Sequence, residues 1–586
     1  MKRVLFVLII LLLVAVAGVY IYPNQKTANV DLRNDGPKVA IIGLDGLGWD
    51  LVDPLLADGD LPNLESYING GVKGDLVSFE FHQLLSPLIW TTIVTGKMPE
   101  KHGIQAWWMY DETADQMRVC NARDRTCRAV WEIVSDYGYT NMFINFMCSF
   151  PPDSVNGVLI SDRAVYSAAN TMYPPSAFNL NPDLFTKARR KIFGKKKGLE
   201  FFEGFYNKNA VSGTEEALRA SKELSYDEMK MIFKNLQEET ENELKLFNAT
   251  MDKLDEFGQP NLFGFYLHGP DMAQHLLFRF HEPSTFNVSE KEVEIFGGFL
   301  TNYLKMADSL TGELVNALDP ETNIIIISDH ALEALTDKSI PESSGPVNNF
   351  KEIFPTRGGR TIQRGVNFEE LRNILNEIFE ADSIRFKIAT PSYLTFRQYS
   401  IESYWQLLDN SGEKITDPAI ISEAVNTLQQ IEAENIGPLF VKTEADSDSR
   451  LMLHINPELY PESGIIYNGQ TWSAGKLIVL RNELSAWHER RGIIIAKGPA
   501  FKDGIRYLDG KVEDITPTLL YLMGIPVAND MDGKIMYDIF TDEFNNNTKT
   551  RFVSTHENND SRRFDFEEIA GEDETIDKLK ALGYIR

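Results

Sequence analysis

Cysteine is almost absent from this chain, 3 among 586 residues, and that scarcity excludes a scaffold built on disulfides. None of Cys120, Cys127 and Cys148 has zinc-finger spacing to a second Cys or His pair, so a structural zinc module is excluded too. In an oxidising compartment Cys120 and Cys127 are close enough in sequence to close a small loop and leave Cys148 over, although spacing alone does not decide the pairing. Positive charge is also in short supply, with 58 Lys and Arg against 85 Asp and Glu and a formal net charge of -27. That balance argues against a nucleic acid polymer or an anionic lipid surface as an electrostatically steered partner. A phosphate-bearing ligand would need a local positive centre, and bound divalent metal is the obvious source. There is no internal repeat and no low-complexity tract. With 43% hydrophobic and 11% aromatic residues the composition is that of a globular protein.

Long apolar runs are confined to one place. Lys2 and Arg3 precede a run from Val4 to Tyr22 that Pro23 closes. About 20 apolar residues span a bilayer, so an N-terminal hydrophobic helix serving as an uncleaved signal anchor is one reading. Ala15-Val16-Ala17 fits a small-residue cleavage pattern, and a cleaved signal peptide is the other. Both readings export the remainder, to a periplasmic or extracellular location, tethered to the membrane in the first case and secreted in the second. Asn248, Asn287, Asn546 and Asn559 sit in glycosylation tripeptides, which matter only in a host that glycosylates.

Beyond a polar linker at 24–36, strand and helix patterns alternate. Lys38–Gly46 reads as a buried strand, Leu61–Asn69 as a helix and Val72–Phe79 as a second strand; a helix at Arg128–Tyr137 and strands at Thr140–Phe146 and Val158–Ser161 follow. This alternation predicts an α/β protein with a doubly wound, mostly parallel sheet and helices on both faces. The core pattern is expected in three parts, 37–162, 260–331 and 477–540. A mainly helical insertion at 163–259 and a mixed cap at 332–476 interrupt it, and 541–586 form a C-terminal tail. The charge runs of Leu199–Phe257 read as solvated helix faces.

Metal-ligand residue types collect at the ends of the strand-like runs. Lys38–Leu44 leads into Asp45, Leu262–Leu267 into His268 and Asp271, and Ile324–Ile327 into Asp329 and His330, while His488 stands just before Gly492–Ala496. Ligands in open α/β sheets gather outside the carboxyl ends of parallel strands. If Pro270 opens a helix, Asp271 and His275 lie one turn apart on one face. Asp329 and His330 are adjacent, so sharing an ion requires the chain to turn there. Ser86, in Ser86-Pro87-Leu88-Ile89-Trp90, reads as the N-cap of a helix with Pro at its first position, which would place a hydroxyl beside free backbone N–H groups at the positive end of a helix dipole.

Taken in order, these segments resemble the alkaline phosphatase superfamily, in its type I phosphodiesterase/nucleotide pyrophosphatase branch. The resemblance rests on Gly43-Leu44-Asp45-Gly46, on Ser86 ahead of Thr95-Gly96-Lys97-Met98-Pro99-Glu100-Lys101-His102-Gly103-Ile104, and on Pro270-Asp271 with His275. Ser328-Asp329-His330, His488, Ile515-Thr516-Pro517-Thr518, Met523-Gly524-Ile525-Pro526 and Met531-Asp532-Gly533 complete it. It implies an alkaline-phosphatase-like sheet and two divalent metal ions, zinc by the family's habit, with Mn²⁺ acceptable to the same ligands. Asp271, His275 and His488 would hold one ion; Asp45, Asp329 and His330 would hold the other, with Ser86 oxygen as a further ligand and the nucleophile. The implied reaction is hydrolysis of a small-molecule, lipid or glycan phosphoester through a phosphoseryl intermediate.

Three departures bear on specificity. Ser86 stands where nucleotide pyrophosphatases usually carry Thr, Trp107 where they tend to carry an Asn, and Ala331 where a Gly commonly follows Asp-His. The last would be costly if the position needs a positive φ. A sulfatase is disfavoured because Pro87 comes one residue early and Trp90 occupies the place of its Arg. Two rivals keep the fold: a membrane-anchored phosphoethanolamine or phosphoglycerol transferase, and a catalytically silent binding protein, which would be expected to have lost ligands.

Overall fold

The apolar run at the start of the core does not alternate with polar residues because its strand is covered on both sides. Ala40, Ile42 and Leu44 pack into one core, and Val39 and Ile41 into another. Ile324 and Ile326 divide from Ile325 and Ile327 in the same way. A computed structural model of the chain describes residues 30–558 apart from 81–83, 112–115, 165–169, 176, 179–223, 337–355, 358–359, 362, 389–401, 446–448 and 482–483. The N-terminal anchor or signal lies outside the described residues, as do His82 and most of the tail. Among the described residues no helix is long and apolar enough to cross a membrane.

The strands that position the site are β1 (Val39–Leu44), β2 (Val72–Val77), β3 (Asn141–Ile144), β4 (Gly157–Ile160), β5 (Met172–Tyr173), β6 (Leu262–Leu267) and β7 (Asn323–Ile327). They continue with β8 (Ala331–Ala334), β9 (Ala486–Glu489), β10 (Arg491–Lys497) and β11 (Ile505–Lys511). Nine of them form one sheet in the order β11-β2-β10-β7-β1-β6-β3-β4-β5. Within it only β10 and β5 run against the rest. The mixed α/β sheet with helices on both faces therefore matches the reading of the sequence. One face carries α1 (Ser86–Thr95) with the Val130–Asp136 and Ile515–Leu522 helices. The other carries α2 (Tyr226–Phe257), α3 (Gly269–His281) and the Phe299–Asn316 helix.

The helical stretch read from sequence as outside the sheet packs against it and shares its core. In α2, capped by Ser225 and Glu228, Met229, Ile232, Phe233, Leu236 and Phe247 enter the main core. Its charge runs are not wholly solvated, because Glu239 and Glu243 are buried. The polar 24–36 stretch is pinned where described: Leu32 is buried and donates its N–H to Phe257 O at 2.8 Å. Residues between Val366 and Ile478 build a core of their own around Trp405, Leu407, Leu451 and Leu453.

Candidate active site

Two glycines make room for the first ligand. A Cβ at Gly43 would stand 2.4 Å from the Trp90 ring, and one at Gly46, whose φ is +77, would stand 2.9 Å from Asp271 Cα. With those positions empty, Trp90 Nε1 donates to Asp45 Oδ2 at 3.0 Å, and Tyr266 OH donates to the same oxygen. The other oxygen, Asp45 Oδ1, is left buried with no hydrogen-bond partner among the described residues.

β7 ends at Ile327 and the chain bends at Asp329 before β8 begins. The bend brings two adjacent side chains to one point, with His330 Nε2 3.3 Å from Asp329 Oδ2 and 3.4 Å from Asp45 Oδ1. Asp329 Oδ1 accepts the Gly46 N–H at 3.4 Å. Ala331 opens β8 opposite Glu489 and has no positive φ, so no glycine is needed there.

The ribbon β8–β9 explains His488. Its register places Leu332 opposite His488, and the His330 and His488 rings lie 4.1 Å apart between centroids. Because β10 is reversed in the sheet, the residues preceding it sit at the same edge as the residues following β1 and β7. Helix α3 begins at Gly269 with Pro270 in its first turn, and His275 Nε2 is 3.4 Å from Asp271 Oδ1. His275 Nδ1 is 2.7 Å from Ala486 O, and its Nε2 is 2.9 Å from His488 Nε2. Two compact ligand sets emerge, Asp45–Asp329–His330 and Asp271–His330–His488. The first is the set expected from the sequence. In the second, His330 stands where His275 was expected, and His275 faces His488 from the side.

Ser86 is buried as the first helical residue of α1, and Leu85 rather than Ser86 takes the extended cap conformation. Ser86 thus lies one turn before Trp90, on the helix side whose indole reaches Asp45. The far end of α1 explains the remaining family-like segments as scaffolding. Gly96 closes it in the left-handed region, Asp532 accepts from the Met98 N–H at 2.8 Å and from Lys101 Nζ at 2.6 Å, and Thr516 Oγ1 donates to Ile93 O at 2.7 Å. His102, 3.0 Å from Thr92 Oγ1, takes part in the same bracing.

Burial and crowding shape the charges. Burial, then the neighbouring Asp45 carboxylate, holds Asp329 well above the usual carboxylate range. Burial, with His488 and His275 nearby, holds His330 well below the usual imidazole range, and burial takes His488 down to about 3. These imidazoles are neutral donors of lone pairs. Asp45 Oδ1, Asp329 Oδ2 and His330 Nε2 are buried and converge without a hydrogen-bond partner among the described residues. Carboxylate oxygens and neutral imidazole nitrogens turned onto one point fit divalent metal ions.

Several residues of the site escaped the sequence reading. Trp90 and Tyr266, which orient Asp45, resemble ordinary core aromatics in sequence. Glu243 Oε1 accepts the Gly269 N–H at 2.6 Å and its Oε2 accepts from Tyr303 OH at 2.9 Å, fixing the turn ahead of Asp271. Burial and the charge of Glu239 raise Glu243 to about 8. His268 Nδ1 is 3.5 Å from Glu239 Oε1 and its Nε2 3.8 Å from Asp271 Oδ2. Burial alone would lower His268, but Glu239, Asp45 and Asp271 outweigh it and raise it to about 9. The usable signal was the placement of Glu239 and Glu243 four apart on the apolar stripe of α2. The suggested Cys120–Cys127 loop is replaced by another neighbour: Cys120 Sγ lies 3.5 Å from Cys148 Sγ, and none of the three cysteines is in a disulfide.

Comparison with known proteins identifies a family. The sequence pattern of the family described as type I phosphodiesterase / nucleotide pyrophosphatase matches residues 39–386. No curated protein sequence matches the chain. Among solved structures, human ectonucleotide pyrophosphatase / phosphodiesterase 5 is 14% identical, with a TM-score of 0.40 over 86% of this chain and 100% of that one. An inactive form of the murine protein in complex with AMP is 12% identical, with a TM-score of 0.39 and the same coverage.

Proposed function

The chain belongs to the type I phosphodiesterase/nucleotide pyrophosphatase family, within the alkaline phosphatase superfamily, and from that premise we propose that it hydrolyses phosphoric esters by attack of Ser86. It is a phosphoester hydrolase. Asp45, Asp329 and His330 would hold one zinc ion, and Asp271 and His488, with His275 beside them, the other. When bound, the ions would supply Lewis acidity and acidify a coordinated hydroxyl or water near neutral pH.

Ser86 Oγ attacks phosphorus, forming the phosphoseryl bond as the bond to the alcohol breaks, and water then hydrolyses that ester to restore Ser86. At the α1 N-terminus Pro87 has no N–H, and Leu88 and Ile89 give theirs to Leu85 O, so this end would favour a phosphoryl group through the helix dipole and the Ser86 N–H. Trp90 and Tyr266 hold Asp45 through one oxygen so that the other keeps its aim. Neutral His330 and His488 offer lone pairs instead of competing positive charge. The observation that carries the reading is the convergence of buried lone pairs from Asp45, Asp329 and His330, with Asp45 held by Trp90, one turn after Ser86 in α1. An exported catalytic region, anchored or secreted, is part of the proposal and is motivated by the basic-apolar N-terminus.

The test uses the full chain with bis-p-nitrophenyl phosphate. Turnover should disappear with chelator and return with Zn²⁺, and Ser86→Ala should lose on the order of 10³-fold or more in kcat while keeping its metal content. Undiminished turnover by Ser86→Ala would remove this residue from its role.

A further inference from the structure

Cys120 directly follows the strand Gln116–Val119, and Cys148 comes shortly after β3. Although 28 positions apart in sequence, their buried sulfurs face each other at 3.5 Å. The backbone on each side is clamped. Cys120 gives its N–H to Trp107 O at 2.8 Å, and its carbonyl accepts from Arg163 Nη2 at 3.1 Å. Cys148 gives its N–H to Asp162 Oδ2 at 2.9 Å. Asp162 and Arg163 are consecutive, so a single turn of chain holds both cysteines. Two residues beyond each of them, Ala122 donates its N–H to Phe150 O at 2.6 Å, which keeps the two backbones together past the pair.

Buried thiols can serve as small apolar filler. Filler does not account for the backbone of Cys148, whose φ of +54 lies in the left-handed region that a residue with a Cβ seldom adopts. Such strain persists where the surroundings dictate the direction of a side chain, and here that direction is onto Cys120. A cross-link would also have work to do. Trp108–Asp111 and Gln116–Val119 form a two-stranded sheet of their own, paired with no strand of the main sheet among the described residues. A bond from Cys120 to Cys148 would fasten this hairpin to the end of β3. Trp107, Cys120, Cys148 and Pro87 line one cavity, so the fastening lies close to Ser86.

We propose that Cys120 and Cys148 are a redox site, closed to a disulfide by an oxidant of the disulfide class such as oxidised glutathione, while Cys127 keeps its thiol. The sulfur of one cysteine attacks the S–S bond of the oxidant, releasing one glutathione thiol and leaving a mixed disulfide. The second cysteine then attacks the first cysteine's sulfur and releases the other glutathione. Both thiol protons and two electrons end on the two glutathione molecules. The contact with Cys148, then burial, holds the Cys120 thiol well above its ordinary range, so exchange in the folded chain is slow and the bond closes chiefly during folding. The site is independent of the hydrolase chemistry.

The test equilibrates the full chain with equal amounts of oxidised and reduced glutathione until the thiol count is constant. One sample starts folded and reduced, the other unfolded in denaturant; both are then alkylated under denaturing conditions and mapped by mass spectrometry. Cys127 alone should be alkylated, with the Cys120 and Cys148 peptides joined, and Cys127→Ser should leave no thiol. A phosphine reductant should lower the Tm of the parent by about 3 °C or more and leave that of Cys148→Ser unchanged. Should a serine variant fail to fold, the map and Tm of the parent decide. Alkylation of all three cysteines from both starts, a bond that includes Cys127, bonds only between chains, or a parent Tm indifferent to reductant would overturn the site.

Discussion

Asp45, Asp329 and His330 have no solvent exposure at all, whereas the imidazoles of His275 and His488 retain 13% and 8% of theirs. The first group stands on the ends of neighbouring parallel strands, and its hydrogen bonds come from inside the core, from Trp90, Tyr266 and Gly46. The second is gathered by a helix turn and by a short two-stranded ribbon that must close across a long stretch of sequence. One half of the centre is therefore set by the sheet itself. The other depends on a tertiary contact that forms apart from the sheet, and it is the side that solvent can reach.

The largest effect that would test this contrast comes from removing one ligand on each side. Asp45→Ala should lower kcat/KM on the order of 10³-fold or more and strip bound metal, since it removes a ligand and leaves two buried donors without their acceptor. His275→Ala should cost less, about 10- to 100-fold, because His488 and Asp271 remain on that side. Metal analysis and kinetics on the two variants give the comparison directly; equal losses would abolish the distinction between the halves.

A smaller effect isolates orientation from ligation. Tyr266→Phe keeps the ring in the core and deletes only the O–H donor to Asp45, so about a tenfold loss of metal affinity is expected with little change in fold. Metal titration of the variant against the parent chain reads it, and an unchanged affinity would mean that Trp90 alone aims the carboxylate.

The least effect on activity, but a distinctive one on stability, is expected at Glu243. Burial raises it to about 8 from an ordinary 4.5. Between those values the folded chain holds a proton that the unfolded chain has released, so this group's contribution declines as pH rises through that window. The slope is at most about 1.4 kcal/mol per pH unit. Glu243→Gln should remove the decline and gain stability relative to the parent between pH 5 and pH 8. Denaturant melts of the chelated protein at both pH values measure it; parallel curves would show that Glu243 ionises as freely as an exposed carboxylate.

Much of this centre was legible because strand ends carry their own punctuation. The undivided apolar runs at Val39–Leu44 and Ile324–Ile327 announced strands covered on both faces, and the polar residues that interrupt them could only be at an edge. Asp271 and His275 followed from helical spacing once Pro270 marked a first turn. What stayed hidden was partnership between distant segments. No local pattern reveals that His488 reaches the edge because β10 is reversed, nor that His330 sits between both ligand sets. Glu239 and Glu243 looked like the solvated face of a charged helix, since a carboxylate on an apolar stripe is expensive to bury and ordinarily read as an irregularity. Cys120 met Cys148 instead of Cys127 through a tertiary contact that no local spacing shows.

The ribbon of β8 and β9 has one more consequence. Leu335 donates its N–H to Ser485 O at 2.9 Å, so everything between those two residues leaves and re-enters the site through a single clasp. The free-energy cost of closing such an excursion grows only with the logarithm of its length, about 0.6 kcal/mol for each doubling. The Val366–Ile478 body can thus be enlarged, trimmed or exchanged over evolutionary time while His330 and His488 stay in register. The clasp separates the inheritance of the reaction from the invention of its clientele.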